Sequence, residues 1–311
     1  MVNRWWTYQK ERFPIVANGL LIGVFSYSAV SYSALLRGGL PPLGSSVVAF
    51  AIAFLFFLQL RIADEFKDYE EDCQFRPYRP VPRGLVSLGE LGELGAFTAI
   101  IQGALALYLG GVNLGLSLMA VWLYLGLMSQ EFFIRDWLKA HPAIYLISHM
   151  MIMPLIYGLA TACDWQVTTG VMPRGLGWFL GVSFFNGVMI EIGRKIRSPK
   201  DEEVGVETYS YLWGRKRAVF VWLAVCTIMA VLSAIAARLI GFGLPLAIAT
   251  WLMLGISGTL AHKFLGSPVS GSGKRFEYLS VIWTLLVYLG LGIIPLLMTA
   301  LNRYAFYFES L

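Results

Sequence analysis

Three aspartates, Asp64, Asp68 and Asp72, stand four residues apart, with Glu65, Glu70 and Glu71 among them. On a helix turning 100° per residue that spacing lines the three carboxylates along one face, about 6 Å between successive Cα atoms. Carboxylates held so close repel one another unless a cation lies between them. Mg2+ is a hard ion that binds through one or two carboxylates and completes its shell with phosphate oxygens and water. The spacing therefore fits a site for Mg2+ and a phosphate ester. It fits equally a solvated helix extension in which Arg61 and Lys67 neutralise the acids.

The next residues favour the first reading. Arg76-Pro77-Tyr78-Arg79-Pro80-Val81-Pro82-Arg83-Gly84 sets three arginines in a proline-stiffened loop directly after the acidic face. A guanidinium is a planar fork matched to phosphate oxygens, and proline lowers the entropic cost of keeping the loop ordered. Arg76 and Arg79 are thus candidate diphosphate ligands, although arginines also collect at the inner surface of membranes. A second charged stretch, 191–207, carries Glu191, Asp201, Glu202, Glu203 and Glu207, with Arg194, Lys195 and Arg197 interspersed. Together with 61–83 it holds 11 of the 19 acids.

These groups have to be positioned by a strongly apolar chain. Of 311 residues, 57% are hydrophobic and 14% charged, and the mean hydropathy is +0.65. Soluble domains carry about a quarter charged residues, so a water-facing globule is excluded. Nine stretches approach the ~20 residues a bilayer-crossing helix needs: 14–36, 45–66, 89–110, 114–134, 141–161, 175–193, 217–239, 243–262 and 277–301. Backbone groups in lipid must be satisfied internally, so the expected fold is an all-α polytopic membrane bundle, one domain over 1–311. Of the 24 Lys and Arg, only Arg37, Arg174, Arg238 and Arg303 fall in the loops of one side. The positive-inside rule then puts the N-terminus and both acidic stretches in the cytoplasm. The net charge of +5 sits between hydrophobic segments rather than on a polar stripe, so no nucleic-acid partner is expected. Cys73, Cys163 and Cys226 have no paired spacing, which argues against a disulfide framework or a zinc site. No transit peptide is visible, and a prokaryotic plasma membrane is the expected location.

At this point the sequence resembles the UbiA-type intramembrane prenyltransferases. Their first motif, Asn-Asp-x-x-Asp-x-x-x-Asp followed by Arg-Pro-x-Arg-Pro, is matched in register by Asp64-Glu65-Phe66-Lys67-Asp68-Tyr69-Glu70-Glu71-Asp72 and Arg76-Pro77-Tyr78-Arg79-Pro80. Asp64 and Glu65 replace the family's leading Asn and Asp, which keeps oxygen ligands. The second motif departs further: Glu191 is followed by Arg194 and Lys195 where another acid belongs, and Asp201 and Glu202 come later, before Gly205-Val206-Glu207-Thr208. The resemblance implies Mg2+ held by Asp64, Asp68, Asp72 and Glu191, with Glu65, Asp201 and Glu202 as additional metal or loop ligands. Arg76, Arg79, Arg194, Lys195 and Arg197 would take the diphosphate. It implies electrophilic transfer from a prenyl diphosphate to a hydrophobic acceptor, aromatic or lipid, reached through the membrane.

Four further residues could form an acceptor or cation site. Glu131 and His149 are polar groups within expected spans, where charge is costly and usually faces a cavity or partner. Either could orient or deprotonate an acceptor, or simply snorkel or satisfy a core hydrogen bond. Tyr69 is an aromatic face that could shield an allylic cation, and Asn186 is a polar lining residue five positions before Glu191. Two other functions use the same residues: a terpene cyclase, in which the substrate's own double bond captures the cation, and a non-catalytic carrier of cations or lipid.

Overall fold

The computed structural model describes residues 3–203 and 205–309, with side chains to residue 302. Every described element is helical: α1 (Arg4–Arg12), α2 (Ile15–Leu36), α3 (Leu43–Lys67), α4 (Tyr69–Phe75), α5 (Leu88–Ser129), α6 (Arg135–Ala140), α7 (Pro142–Met150), α8 (Ile152–Thr168), α9 (Leu176–Arg194), α10 (Tyr209–Leu212), α11 (Arg215–Arg238), α12 (Gly243–Gly266), α13 (Lys274–Tyr288) and α14 (Ile294–Glu309). Eight of these, taken as continuous rods, are long and apolar enough to cross a membrane.

One rod is two. A straight helix of 42 residues would run ~63 Å at 1.5 Å per residue, twice the hydrocarbon thickness. At Gly111 the backbone turns to φ 59°, ψ −149°, and the chain doubles back. Trp122 Nε1 consequently reaches Gln102 Oε1 at 3.1 Å, although twenty residues separate them. The two limbs are the expected third and fourth spans, so the described residues provide nine crossings. A polar network ties this hairpin to α3: Gln59 Nε2 donates to Thr98 Oγ1 and Gln102 Oε1 at 3.0 and 2.8 Å, and Gln102 Nε2 donates to the Ile52 carbonyl at 2.9 Å.

Three spans differ from expectation at their ends. The fourth, expected to reach 134, stops at Ser129, and Glu131, Phe132 and Phe133 follow in a tight turn with φ of 49°, 54° and 61°. The fifth, expected over 141–161, extends to Thr168 and divides at Met151. Pro154 explains the division: it has no N–H for the carbonyl four residues back, Met150, and its ring crowds that carbonyl. Pro295 acts likewise on Leu291, and the last span passes through a π-helical turn at Leu289–Ile293.

In the bundle α2 and α3 pack on α8, α5 on α3 and α8, and α9 on α11 and α13. The α9–α13 contact fixes the height of the second acidic stretch. A Cβ on Gly193 would collide with Ser280 Oγ and the Phe276 carbonyl, so only glycine allows this approach. At the opposite end, Asp164 is fully buried and accepts from Arg37 Nε and Nη2 at 2.9 and 2.6 Å, clasping α8 to the end of α2.

Candidate active site

Asp64 sits on the last turn of α3 and Asp68 caps it; the helix is interrupted at Asp68 (φ −93°, ψ 4°) before α4 begins. Asp64 is half exposed and has Arg61 Nη1 at 3.5 Å. The Asp68 carboxyl is held above its ordinary value, first by burial and next by the Asp64 charge beside it. Two adjacent carboxylates, one of them disfavouring its own charge, form an electrostatic well for a cation.

Asp72 has a different environment. It is 1% exposed and accepts from Arg76 Nη1 at 2.9 Å and from Arg79 Nη1. Each guanidinium thereby uses one of its five N–H groups, which leaves a fork of donors beyond Asp72. The turn behind them is tight, with Arg79 N donating to the Arg76 carbonyl and Arg83 N to the Arg79 carbonyl at 3.0 Å each. Glu71, on the same short helix, takes Lys139 Nζ at 2.7 Å, and that bond holds its carboxyl below the usual range.

The second stretch arrives from α9. Glu191 accepts from Arg194 Nε and has Lys195 Nζ at 3.0 Å, while the Lys195 ammonium lies 5.6 Å from the Tyr209 ring centroid. The Asp64 charge acts on Arg194, so the ends of α3 and α9 lie within electrostatic reach of each other. Gly205 (φ 76°) closes the junction: a Cβ there would stand 2.6 Å from the Phe75 ring. Asp201 accepts from Ser198 Oγ at 2.7 Å, Ser270 Oγ, and Gly271 N at 2.8 Å. Those bonds, the one from Ser270 largest, hold its carboxyl down at about 2.

A third group lies beside Asp64 and Asp68. Lys67 Nζ donates to Tyr145 Oη and stands 3.3 Å from Glu131 Oε1 and 3.5 Å from His149 Nε2. The rings of Tyr145 and His149 stack with centroids 3.9 Å apart, and Tyr145 Oη also lies 3.3 Å from Glu131 Oε1.

A helical bundle with two acidic stretches at one mouth is consistent with the sequence resemblance, and the model of the UbiA prenyltransferase family matches residues 24–282. The chain belongs to the UbiA prenyltransferase family. A digeranylgeranylglyceryl phosphate synthase of Thermococcus sibiricus is 29% identical over 255 residues, spanning 77% of this chain and 81% of that protein. Among solved structures, the apo form of a UbiA homologue from Aeropyrum pernix superimposes with a TM-score of 0.67 at 16% identity, covering 86% of this chain and 96% of that one. A UbiA homologue from Archaeoglobus fulgidus bound to DMAPP and Mg2+ gives a TM-score of 0.56 at 12% identity, covering 91% and 98%. At these identities the structural likeness is one of fold.

Of the residues expected at this UbiA site, the fold brings Asp64, Asp68, Glu191, Arg194 and Lys195 to one mouth, with Glu131 and His149 adjoining. Others are differently occupied. Glu65 is buried and accepts from Arg12 Nε of α1, because on a helix it points about 100° away from Asp64. Glu202 accepts from Thr208 Oγ1 at 2.7 Å and Asp201 fastens two loops, so both serve the shape of the second stretch. Asn186 is fully buried; its Oδ1 accepts from Thr284 at 2.7 Å, while its Nδ2 has no partner among the described residues. Tyr69 is exposed on α4. Arg197 is engaged through its backbone, donating from N to Ser210 Oγ at 2.8 Å. Two participants were missed. Lys67 reads in sequence as a neutralising neighbour of the acids, and Tyr145 carries no motif beyond its i, i+4 spacing to His149.

Among the described residues no three Asp, Glu, His or Cys side chains converge into a ready cage. That suits Mg2+ at a phosphate-handling site, where one or two carboxylates suffice and the substrate's oxygens supply the rest. Asp64 and Asp68 fit that demand, and Asp72, neutralised by two arginines, fits it less well.

Proposed function

We propose that this protein is a Mg2+-dependent intramembrane prenyltransferase that moves a prenyl group from a prenyl diphosphate to a free hydroxyl on a glycerol-type lipid. The observation that carries the reading is the pair of carboxylates Asp64 and Asp68, the first in ion-pair range of Arg61, facing Arg194 and Lys195 across one mouth of an apolar bundle. The lipid acceptor rests on the Thermococcus relative, whose name describes a glycerol phosphate bearing two prenyl chains. The donor and the metal rest on the Archaeoglobus homologue, bound to DMAPP and Mg2+.

In this reading Asp64 and Asp68 hold Mg2+, with Glu191 on the opposite wall. The metal, when bound, supplies positive charge to the diphosphate as a Lewis acid. Arg194, Lys195, Arg197 and the free N–H groups of Arg76 and Arg79 orient the diphosphate and take up charge as the C1–O bond lengthens. Donors aimed where negative charge develops lower the barrier more than donors that merely bind the ground state. Asp72 keeps Arg76 and Arg79 in that orientation. The apolar helices accommodate the isoprenoid tail and keep water from the electron-poor carbon. The excess of Lys and Arg on this side supports a cytoplasmic active site and N-terminus, and the archaeal relatives support the plasma membrane of a prokaryote.

The test is incubation of the purified protein with labelled prenyl diphosphates of several lengths and a membrane lipid extract, with and without Mg2+, read by mass spectrometry. A Mg2+-dependent lipid heavier by one prenyl unit is expected. Absence of both product and released diphosphate at every chain length refutes the reading, and a cyclic hydrocarbon formed without any acceptor assigns the site to cyclisation instead.

A further inference from the structure

Ether formation from an alcohol requires the loss of a proton, and the diphosphate mouth is lined on the α9 side by cations. One carboxylate beside it takes no part in the transfer proposed above, although its place in an expected span marks it as a candidate. Glu131 is 3% exposed, and its Oε1 is engaged by Lys67 Nζ and Tyr145 Oη, each at 3.3 Å. Its Oε2 is buried and has no hydrogen-bond partner among the described residues. A buried carboxylate oxygen without a donor is costly to keep. The backbone that presents it is costly too, since Glu131, Phe132 and Phe133 all have positive φ, a region that bulky L-residues rarely occupy.

The neighbouring histidine is not free for the same task. His149 Nδ1 lies 2.9 Å from the Tyr145 carbonyl, which can only accept, so that nitrogen carries the proton. Its Nε2 lone pair then faces Lys67 Nζ at 3.5 Å. Lys67, Tyr145 and His149 face Glu131, with the Asp64 and Asp68 charges acting on the same group. Lys67 directly precedes Asp68, and Tyr145 feels the charges of Glu131, Asp68 and Asp64 together. The free oxygen therefore stands next to the metal face, on the side of the mouth away from Arg194 and Lys195, with Lys67 engaging the other oxygen of the same carboxylate.

We infer that Glu131 is the catalytic base for a hydroxyl acceptor, with Oε2 receiving the hydroxyl proton. This inference rests on the prenyl transfer proposed above. In the step, the acceptor oxygen bonds to C1 of the prenyl group and the C1–O bond to diphosphate breaks, its electron pair leaving with the diphosphate. The hydroxyl proton passes to Glu131, which becomes a neutral acid and returns the proton to water when product leaves. Lys67 and Tyr145 are positioning residues that hold Oε1 so that Oε2 points to the acceptor.

The experiment uses the full chain in lipid nanodiscs, with a C20 prenyl diphosphate and a monoprenyl glycerol phosphate bearing one free hydroxyl. Glu131→Gln keeps shape and hydrogen bonding but cannot take a proton. It is expected to lower kcat about a hundredfold or more, the usual range for a lost general base, with the acceptor KM within about threefold. Glu131→Ala opens space for a small exogenous carboxylate, and added formate is expected to restore at least tenfold of its lost rate. A base role is overturned by a Gln variant within threefold of wild type, by a change confined to KM, or by an Ala variant that formate leaves untouched. Should one variant fail to fold, the other decides alone. Wild-type protein that neither transfers nor releases diphosphate with Mg2+ refutes the underlying transfer reading, and an active wild type with an active Gln variant refutes only the base.

Discussion

Asp68 and Asp72 belong to one acidic row and are expected to respond in opposite directions to the same substitution. Asp72→Asn leaves the Arg76 and Arg79 guanidinium groups, 17% and 23% exposed, facing an uncharged amide. Removing one partner of a buried pair costs about 3–5 kcal/mol, and the retained amide oxygen places the expectation near the lower end of that range. Asp68→Asn instead removes a charge that burial and Asp64 already disfavour. A like-charged pair one turn apart costs about 0.2–0.5 kcal/mol, so this variant should be slightly more stable than wild type in EDTA. Thermal unfolding in detergent reads both, as a clear fall in Tm for Asp72→Asn and a small rise for Asp68→Asn. The sign with pH follows from the raised Asp68 value. Its ionised form costs stability at neutral pH, and that cost disappears as pH falls through the raised value and the carboxyl takes a proton. The advantage of Asp68→Asn should therefore shrink on acidification. Added Mg2+ should raise the Tm of wild type but not of Asp68→Asn. If both variants lose stability alike, or Asp72→Asn leaves Tm in place, the division between a cation well and an arginine clamp is wrong.

Other outcomes follow from the geometry. Asp201 has a carboxyl held at about 2 by Ser270, Ser198 and Gly271, so its stabilising effect is complete above the ordinary value of 3.8 and lost as pH falls toward 2. Amide exchange at Gly271 should quicken over that interval in wild type and be fast throughout in Asp201→Asn. Gly193→Val forces α9 away from Ser280 and Phe276, an overpacking worth about 1–3 kcal/mol; a lowered Tm with reduced Mg2+-dependent turnover is expected. Asp164→Asn strands Arg37, 18% exposed, at the far end of the bundle, and should cost about 3–5 kcal/mol in unfolding measurements.

Much of this was legible in the chain because it is local. The spans follow from apolar length, and the reversal near 110–114 follows from Leu109-Gly110-Gly111-Val112, where glycine supplies the positive φ. The acid spacing of 64, 68 and 72 is plain in the chain, but the different surroundings of its members are not. Those surroundings depend on Arg76 and Arg79 turning back onto Asp72, a matter of loop conformation. Tyr145 and Lys67 are 78 residues apart and meet only through tertiary packing. The breaks at Met151 and Leu289–Ile293 have a local cause in Pro154 and Pro295, which apolar counting passes over. No local preference announces three successive left-handed residues at Glu131–Phe133, since propensity argues against them.

The reversal at Gly111 has a consequence for how the protein enters its membrane. Between its limbs lie no charged residues, and Gln102 finds Trp122 only when both limbs are embedded. A nascent chain halted after the first limb would leave Gln102 bonded to α3 alone, without the donor that Trp122 supplies, a less complete network that the second limb closes. The pair should therefore integrate together, as a single hairpin event, and the diphosphate mouth can be completed only after that event has occurred.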